Sequence, residues 1–405
     1  MSGVFTRLVG QEAVKAVLLA AARSARGDTS HSHSGDGNMT HAWLITGPPG
    51  SGRSVAALCF AAALQCTGDP ESGDPGCGRC RACTTTMAGT HADVRRVVPE
   101  GLSIGVDAMR AIVQIASRRP TTGHRQIVVI EDADRLTEGA ANALLKVVEE
   151  PPASTVFLLC APSVDPEDIA VTLRSRCRHV ALITPSTATI AQVLVDSDGL
   201  DSETANWAAS VSGGHVGRAR RLATDAEARQ RRERALGLVR DAATPSRAYA
   251  AAEELVAAAE TEAVVLTSDR AEAETEELRT ALGAGGTGKG TAGAMRGAAG
   301  AIKDLERRQK SRQTRASRDA LDRALIDLAG FFRDALLVSA HATAARANHP
   351  DMAERVAALA GHATPERLLR CIEAVLACRE ALAINVKPKF AVDAMVATIG
   401  QELRG

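Results

Sequence analysis

Along roughly the first 183 residues, short apolar runs alternate with longer stretches whose apolar positions recur every three or four residues. The runs His41–Thr46, Asp93–Val98, Gln126–Glu131, Thr155–Cys160 and Arg178–Ile183 are rich in Val, Ile or Leu, and most are bounded by polar or Gly/Pro turns. That pattern predicts five strands. Strands separated by helices imply a parallel sheet covered on both faces, an α/β domain over residues 1–183. One segment interrupts it: Thr67–Thr84 is rich in Gly, Pro and Cys and has almost nothing apolar to bury.

Past Pro185 the strand signals stop. Short helices fit residues 184–243, broken at Ser212-Gly213-Gly214, and only helices fit residues 244–405. This suggests a small helical domain followed by an all-α domain. Residues 282–300 (Leu, then GAGGTGKGTAGAMRGAAG) have the composition of a flexible linker inserted between helices. No internal repeat is visible.

Composition adds little to the fold but removes some functions. The chain has 405 residues, 45% hydrophobic and 24% charged, which favours two or three soluble domains. Forty-eight basic residues balance forty-eight acidic ones, so net charge gives no argument for a polyanionic partner. The N-terminus has no apolar signal core, and Val55–Leu64 is too short to span a bilayer, so a cytoplasmic protein without membrane contact is expected. In that compartment nine cysteines argue against a disulfide framework.

Gly47-Pro48-Pro49-Gly50-Ser51-Gly52-Arg53-Ser54 follows the first strand and opens a helix. This is the setting of a phosphate-binding loop, in which backbone N–H groups and a helix N-terminus face an anion. Gly47, Gly52 and Ser54 fit G-x-x-x-x-G-K-[ST], but Arg53 stands at the lysine. A planar guanidinium does not simply replace a point-charge ammonium between phosphates. An ordinary strand–turn–helix is the competing interpretation. A second glycine loop, Gly283–Gly290, has Lys289 but Gly290 where a hydroxyl belongs, and no strand precedes it, so low-complexity linker is the better description.

The strand Ile127–Ile130 runs into Glu131-Asp132-Ala133-Asp134. In a nucleotide hydrolase, an Asp at such a strand end holds Mg²⁺ and a following Glu orients water. Here the order is Glu then Asp, which shortens the side chain at the water-activating position. A polar turn after a strand would look the same.

Cys66, Cys77, Cys80 and Cys83 are spaced C-x10-C-x2-C-x2-C. Four thiolates suit tetrahedral Zn²⁺ with no open position, a structural site. Redox pairing within a C-x-x-C is the alternative.

These motifs occur in an order that resembles the clamp-loader ATPases of bacterial DNA polymerase III. Leu8-Val9-Gly10-Gln11 precedes the phosphate loop and the four-cysteine insert. Ala88–Asp93, Gly105-Val106-Asp107, the Asn142-Ala143-Leu144-Leu145-Lys146 run, Glu149-Glu150-Pro151-Pro152 and Ser175-Arg176-Cys177 follow. The likeness is dense to about residue 220 and loose beyond, through Asn385-Val386-Lys387-Pro388. It implies a AAA+ P-loop domain with a zinc module at residues 66–83, a helical lid, and a C-terminal collar domain. It also implies partners: gamma/tau and delta subunits in a heteropentamer, the sliding clamp, and primer-template DNA met through the complex. The chain would be a component of a polymerase holoenzyme with no polymerase site of its own.

The same resemblance assigns residues. Arg176 would reach into the neighbouring subunit's ATP site as a trans arginine finger. Gly47, Gly50, Gly52, Arg53, Ser54, Glu131 and Asp132 would form a degenerate nucleotide site, able to hold ATP and Mg²⁺ without hydrolysis. Ala161 stands where a sensor hydroxyl is expected, and Gly217 where a second sensor arginine is. Three functions therefore compete: a non-hydrolysing clamp-loader subunit, an active ATPase of the gamma/tau type, and a zinc-dependent nucleic-acid module. The last lacks aromatic residues around the cysteines. Arg174 and Arg176 could be plain surface charges, and the basic run Arg307, Arg308, Lys310, Arg312, Arg315, Arg318 is expected to be a solvated helix face.

Overall fold

Three of the five strands are buried along their whole length, which is what near-continuous apolar runs require. The computed structural model describes residues 3–27, 39–68, 73–282, 291–342 and 345–404. Its strands are β1 (Ala42–Thr46), β2 (Val94–Val97), β3 (Gln126–Ile130), β4 (Thr155–Ala161) and β5 (Arg178–Ala181). They form one parallel sheet in the order β2-β3-β4-β1-β5. All five lie where the apolar runs predict them, with ends shifted by one or two residues. The edge strands β2 and β5 carry the charged Arg95, Arg96 and Arg178 and the polar His179, which blunts edge pairing.

Alternate residues of the central strands feed two cores. Trp43, Ile45, Ile127, Val129 and Leu158 pack with α1 (Glu12–Ala25) and α2 (Arg53–Gln65). Leu44, Val128, Ile130, Phe157 and Leu159 pack with α4 (Val106–Ala116) and α5 (Glu138–Glu149). Between them in sequence, α3 (Arg81–Ala88) closes the cysteine insert. The one-turn α6 (Val171–Arg174) precedes β5. Then come α7 (Thr187–Asp198), α8 (Ser202–Val211) and α9 (Val216–Thr224). Gly213 and Gly214, both at positive φ (65° and 85°), end α8 as the break at Ser212-Gly213-Gly214 predicts.

The chain divides into two compact units, residues 1–223 and 224–405. The second consists of α10 (Ala226–Ala242), α11 (Pro245–Ala281), α12 (Thr291–Ser339), α13 (Ala353–His362), α14 (Pro365–Ala383) and α15 (Pro388–Arg404) around Leu321, Leu325, Phe332, Val375 and Val396. α11 and α12 run antiparallel, tied by Gln309 Nε2 to the Ala271 carbonyl (2.9 Å) and by Arg323 to Glu262 (2.9 Å).

The expected linker over 282–300 is shorter than its composition suggests. Residues 283–290, including Lys289, lie outside the described residues, but α12 already begins at Thr291. Ala292, Ala294, Ala298 and Ala299 favour helix enough to carry Gly293 and Gly297 along.

The basic run on α12 is partly used inside the bundle. Arg312 pairs with Glu274 and Arg315 with Asp319 (3.6 Å). Arg318 donates to Asn385 Oδ1 (2.6 Å) at the turn between α14 and α15, where Asn385 itself holds φ 71°. Arg307, Arg308 and Lys310 are exposed.

Candidate functional site: a closed phosphate loop beside a four-cysteine centre

The loop 47–52 leaves β1 and enters α2, as a phosphate loop must. Gly47, Gly50 and Gly52 all take positive φ (156°, 86° and 95°), which no other residue type adopts at low cost. The helix starts at Arg53, with Ser54 in its first turn. The loop's surroundings then differ from an open anion cradle. Arg53 Nη1 donates to the Gly47 carbonyl at 2.7 Å, so the guanidinium folds back onto its own loop. A Cβ on Gly50 would meet His215 Cβ at 2.5 Å, which means the residue before α9 rests directly on the loop. The buried Ser51 hydroxyl has no hydrogen-bond partner.

The acidic strand end is similarly diverted. Glu131 forms an ion pair with Arg96 of neighbouring β2, Nε to Oε1 at 2.6 Å. Asp132 begins a short turn beyond β3. Asp134, two residues on, has a buried carboxylate oxygen without a partner, and burial together with the charge of Asp132 raises its pKa. Ala161 ends β4, paired in register with Thr46, the residue that precedes the loop. Gly217 lies in the first turn of α9. Sequence reasoning missed two neighbours of this site: His215, and Gln11, whose Nε2 donates to the Ser51 carbonyl at 3.3 Å. The run Leu8-Val9-Gly10-Gln11 could have pointed to Gln11, but the packing of His215 on Gly50 has no sequence signal.

Arg176 lies in the turn after α6. Its Nη2 meets Glu149 Oε1 at 2.6 Å and its Nη1 reaches the Thr172 carbonyl at 3.0 Å. Two motifs widely separated in sequence, Glu149-Glu150-Pro151-Pro152 and Ser175-Arg176-Cys177, thus meet at one exposed spot. Arg174 donates to the Val164 carbonyl at 3.3 Å.

The four cysteines converge. The sulfurs of Cys66, Cys77, Cys80 and Cys83 all lie within 4.8 Å of one another, and the Cys66 and Cys80 sulfurs are 3.8 Å apart. A tetrahedron of thiolates around Zn²⁺ with bonds of about 2.3 Å has sulfurs about 3.8 Å apart, so the spacing fits a metal. Backbone N–H groups point at the sulfurs: Cys77 N to Cys66 (3.5 Å), Cys80 N to Cys77 (3.3 Å) and Cys83 N to Cys80 (3.4 Å). Such donors stabilise thiolates. The nearby Cys83 sulfur draws the pKa of the Cys66 thiol down, and the same neighbour effect pushes Cys83 up. Four sulfurs this close cannot all ionise without a cation, so the cluster can hold a metal ion.

Residues 29–186 match the family described as DNA polymerase III, delta subunit, and residues 316–387 match DNA polymerase III, delta subunit, C terminal. The chain is 40% identical over 151 residues to DNA polymerase III subunit delta′ of Escherichia coli K12, covering 37% of this chain and 44% of that protein. It is 32% identical over 160 residues to subunit delta′ of Bacillus subtilis 168, covering 40% and 47%. The chain belongs to the DNA polymerase III delta-prime family. It spans less than half the length of the curated delta-prime relatives. This delta-prime family member is also 31% identical over 176 residues to DNA polymerase III subunit gamma/tau of Mycobacterium tuberculosis H37Rv, covering 43% and 28%. Among solved structures, it resembles a DNA polymerase III gamma subunit-related protein of Thermotoga maritima at a TM-score of 0.40 and 16% identity, covering 96% and 99%. The RuvB Holliday junction branch migration motor of the same organism follows at a TM-score of 0.36 and 19% identity, covering 57% and 64%. The five-strand parallel sheet with a glycine loop after its first strand is the AAA+ P-loop architecture that the resemblance implies. Among the described residues no helix is long and apolar enough to cross a membrane.

Proposed function

We propose that this chain serves as the delta-prime subunit of a clamp loader, assembling with gamma/tau and delta subunits and helping to place the sliding clamp on primer-template DNA. It contributes structure and Arg176, not ATP turnover of its own. The observation that carries this is the state of the phosphate loop. Arg53 is bonded to the loop's own carbonyl, His215 rests on Gly50, and Glu131 is committed to Arg96. When bound, Mg²⁺ would supply positive charge against the negative charge that develops on nucleotide phosphates. Here Ser54 and Asp132 are the side chains that would meet that ion, while Glu131 at the strand end is engaged with Arg96. ATP and Mg²⁺ held without hydrolysis would occupy only a rearranged loop.

Arg176 is the group fitted to act outside its own chain. An arginine supplied in trans is worth about 10³–10⁵ in phosphoryl-transfer rate. The four cysteines would hold a structural Zn²⁺ closed to substrate. Residues 1–183 act as the P-loop domain and 184–243 as the lid, whose last helix α10 packs into the core of the collar, 244–405, that binds the other subunits.

The test is reconstitution. Purified chain is mixed with gamma/tau, delta, clamp and primed DNA, and ATP turnover and clamp loading are compared with and without it. Loading that requires this chain, with no turnover by the chain alone, is the expected result. Steady turnover by the isolated chain, abolished by Ser54→Ala, would instead make it an active gamma/tau-type ATPase.

A further inference from the structure

The segment Gly3–Gln11 runs from the cysteine centre to the phosphate loop and touches both. At its start, Val4 N donates to the Gly76 carbonyl at 2.9 Å, and Gly76 immediately precedes Cys77. The approach is tight: a Cβ on Gly76 would meet Val4 Cγ2 at 2.9 Å, and one on Gly3 would meet the Gly76 oxygen at 2.9 Å. The Val4 carbonyl in turn accepts from the Cys59 thiol at 3.0 Å, and Val4, Phe5 and Leu8 are buried against α2.

At its end, Gln11 is 2% exposed and uses its whole amide. Nε2 donates to the Ile183 carbonyl (2.6 Å) and to the Ser51 carbonyl (3.3 Å), while Oε1 accepts from Ile183 N (3.2 Å). One side chain therefore joins the phosphate loop to the chain leaving β5.

On its outer side the segment faces a cleft of about 540 Å³, lined by Thr6 and Arg7 and, opposite, by Arg79, Thr84 and Met87. The cysteine insert grips its start through Gly76, while α2 holds it from the sheet side. A single 3₁₀ turn (Val4–Arg7) does not hold its own shape in water. The insert has almost no core, so the position of Gly76 depends on the bound metal.

From this geometry we infer that the metal centre is a latch for the N-terminal segment, and that through Gln11 it sets the phosphate loop and the exit of β5. The inference rests on the metal reading of the four cysteines. Removing the metal releases Gly76, then Gly3–Leu8, and loosens residues 47–52 and 183–185, while β3 and β4 keep their bonds.

Hydrogen exchange on the full chain tests this, after the zinc content of protein purified without chelator has been measured. Chelation is expected to raise exchange at residues 3–11 and 47–52 at least tenfold, leave β3 and β4 unchanged, and be reversed by added Zn²⁺. Gln11→Ala in zinc-loaded protein is expected to loosen 47–52 and 183–185 while residues 3–8 stay protected. Protein that binds no zinc refutes the metal site and the latch together. Bound zinc whose removal leaves residues 3–11 unchanged refutes the latch alone. Gln11→Ala without effect at 47–52 refutes the connection to the loop.

Discussion

Arg176 and Glu149 face each other at 2.6 Å, each about two-fifths exposed. Exposed pairs of this kind contribute only about 0–1 kcal/mol, so the bond keeps the guanidinium oriented without holding it against a better acceptor. Under the proposed role, a neighbouring subunit's phosphate oxygens would be such an acceptor, since they match the fork of an arginine. Arg176→Ala is expected to leave the melting temperature within about 2 °C of wild type and assembly intact, while lowering the DNA- and clamp-stimulated ATPase of the assembled complex. Arg176→Lys should rescue poorly, since an ammonium lacks the planar fork. Wild-type loading rates in the assembled Arg176→Ala complex would assign the residue a purely structural role.

The phosphate loop departs from a working one at several points at once, and this makes repair by one substitution ineffective. Arg53→Lys restores the loop consensus and releases the Gly47 carbonyl, but leaves Glu131 paired with Arg96 and His215 on Gly50. Losing a single preorganised charge group costs about 10²–10³ in rate. Arg53→Lys alone is therefore expected to show no steady-state hydrolysis. Turnover near one per second in that variant would show that the other departures are harmless.

How much of this was legible beforehand differs by residue. The strands could be read because each is a short apolar run ended by a polar or glycine turn. The four cysteines could be read because metal geometry limits spacing. Arg53 marked a departure from the loop consensus by its identity alone. What could not be read is which side chains occupy the space. Arg96 sits in an edge strand and gives no sign that it will take Glu131, because parallel pairing of β2 with β3 sets that contact. The meeting of Glu149 with Arg176 joins positions far apart in sequence. In 291–300 the glycines suggested a linker, but local alanine content and continuation into α12 decided for helix.

Asp93 anchors the turn before β3. Its two carboxylate oxygens accept from the backbone of Thr121 (2.7 Å), Thr122 (2.7 Å) and Gly123 (2.6 Å) and from both threonine hydroxyls. Burial alone would raise its pKa, but these donors hold it well below the carboxylate range. The stability it contributes is present above the unfolded value of about 3.9 and is lost as pH falls below that toward the folded pKa. Asp93→Asn turns one acceptor into a donor facing donors. It is expected to destabilise the first unit by about 2–4 kcal/mol at pH 7 and to flatten the loss of stability below pH 4, as read by denaturant melts across pH.

A second acid-sensitive point lies in the C-terminal unit. Arg232, 6% exposed, forks onto Asp351 (2.7 and 2.9 Å), and its Nη2 also meets His349 Nδ1 at 2.7 Å. A guanidinium only donates, so Nδ1 accepts and the proton is on Nε2, which donates to the Asp327 carbonyl at 3.0 Å. Asp334 fixes the same turn by accepting from His349 N at 2.7 Å. Burial, and then the charge of Arg232, lowers the His349 pKa. A histidine held neutral contributes stability that is fully present above its unfolded value of about 6.5 and is lost as pH falls below it. Protonation would set a cationic ring against Arg232. The C-terminal unit is therefore expected to lose stability below about pH 6.5, well before Asp93 titrates, and His349→Gln should remove that step while keeping an acceptor near Arg232. Arg232→Ala takes the donor away from the buried His349 Nδ1 and should destabilise the unit by about 1–3 kcal/mol. Melts followed separately for the two units, for instance by exchange at Leu325 and Val396 against β3, decide the matter. A C-terminal unit whose stability is flat from pH 7.5 to 5.5 would mean that His349 does not titrate there.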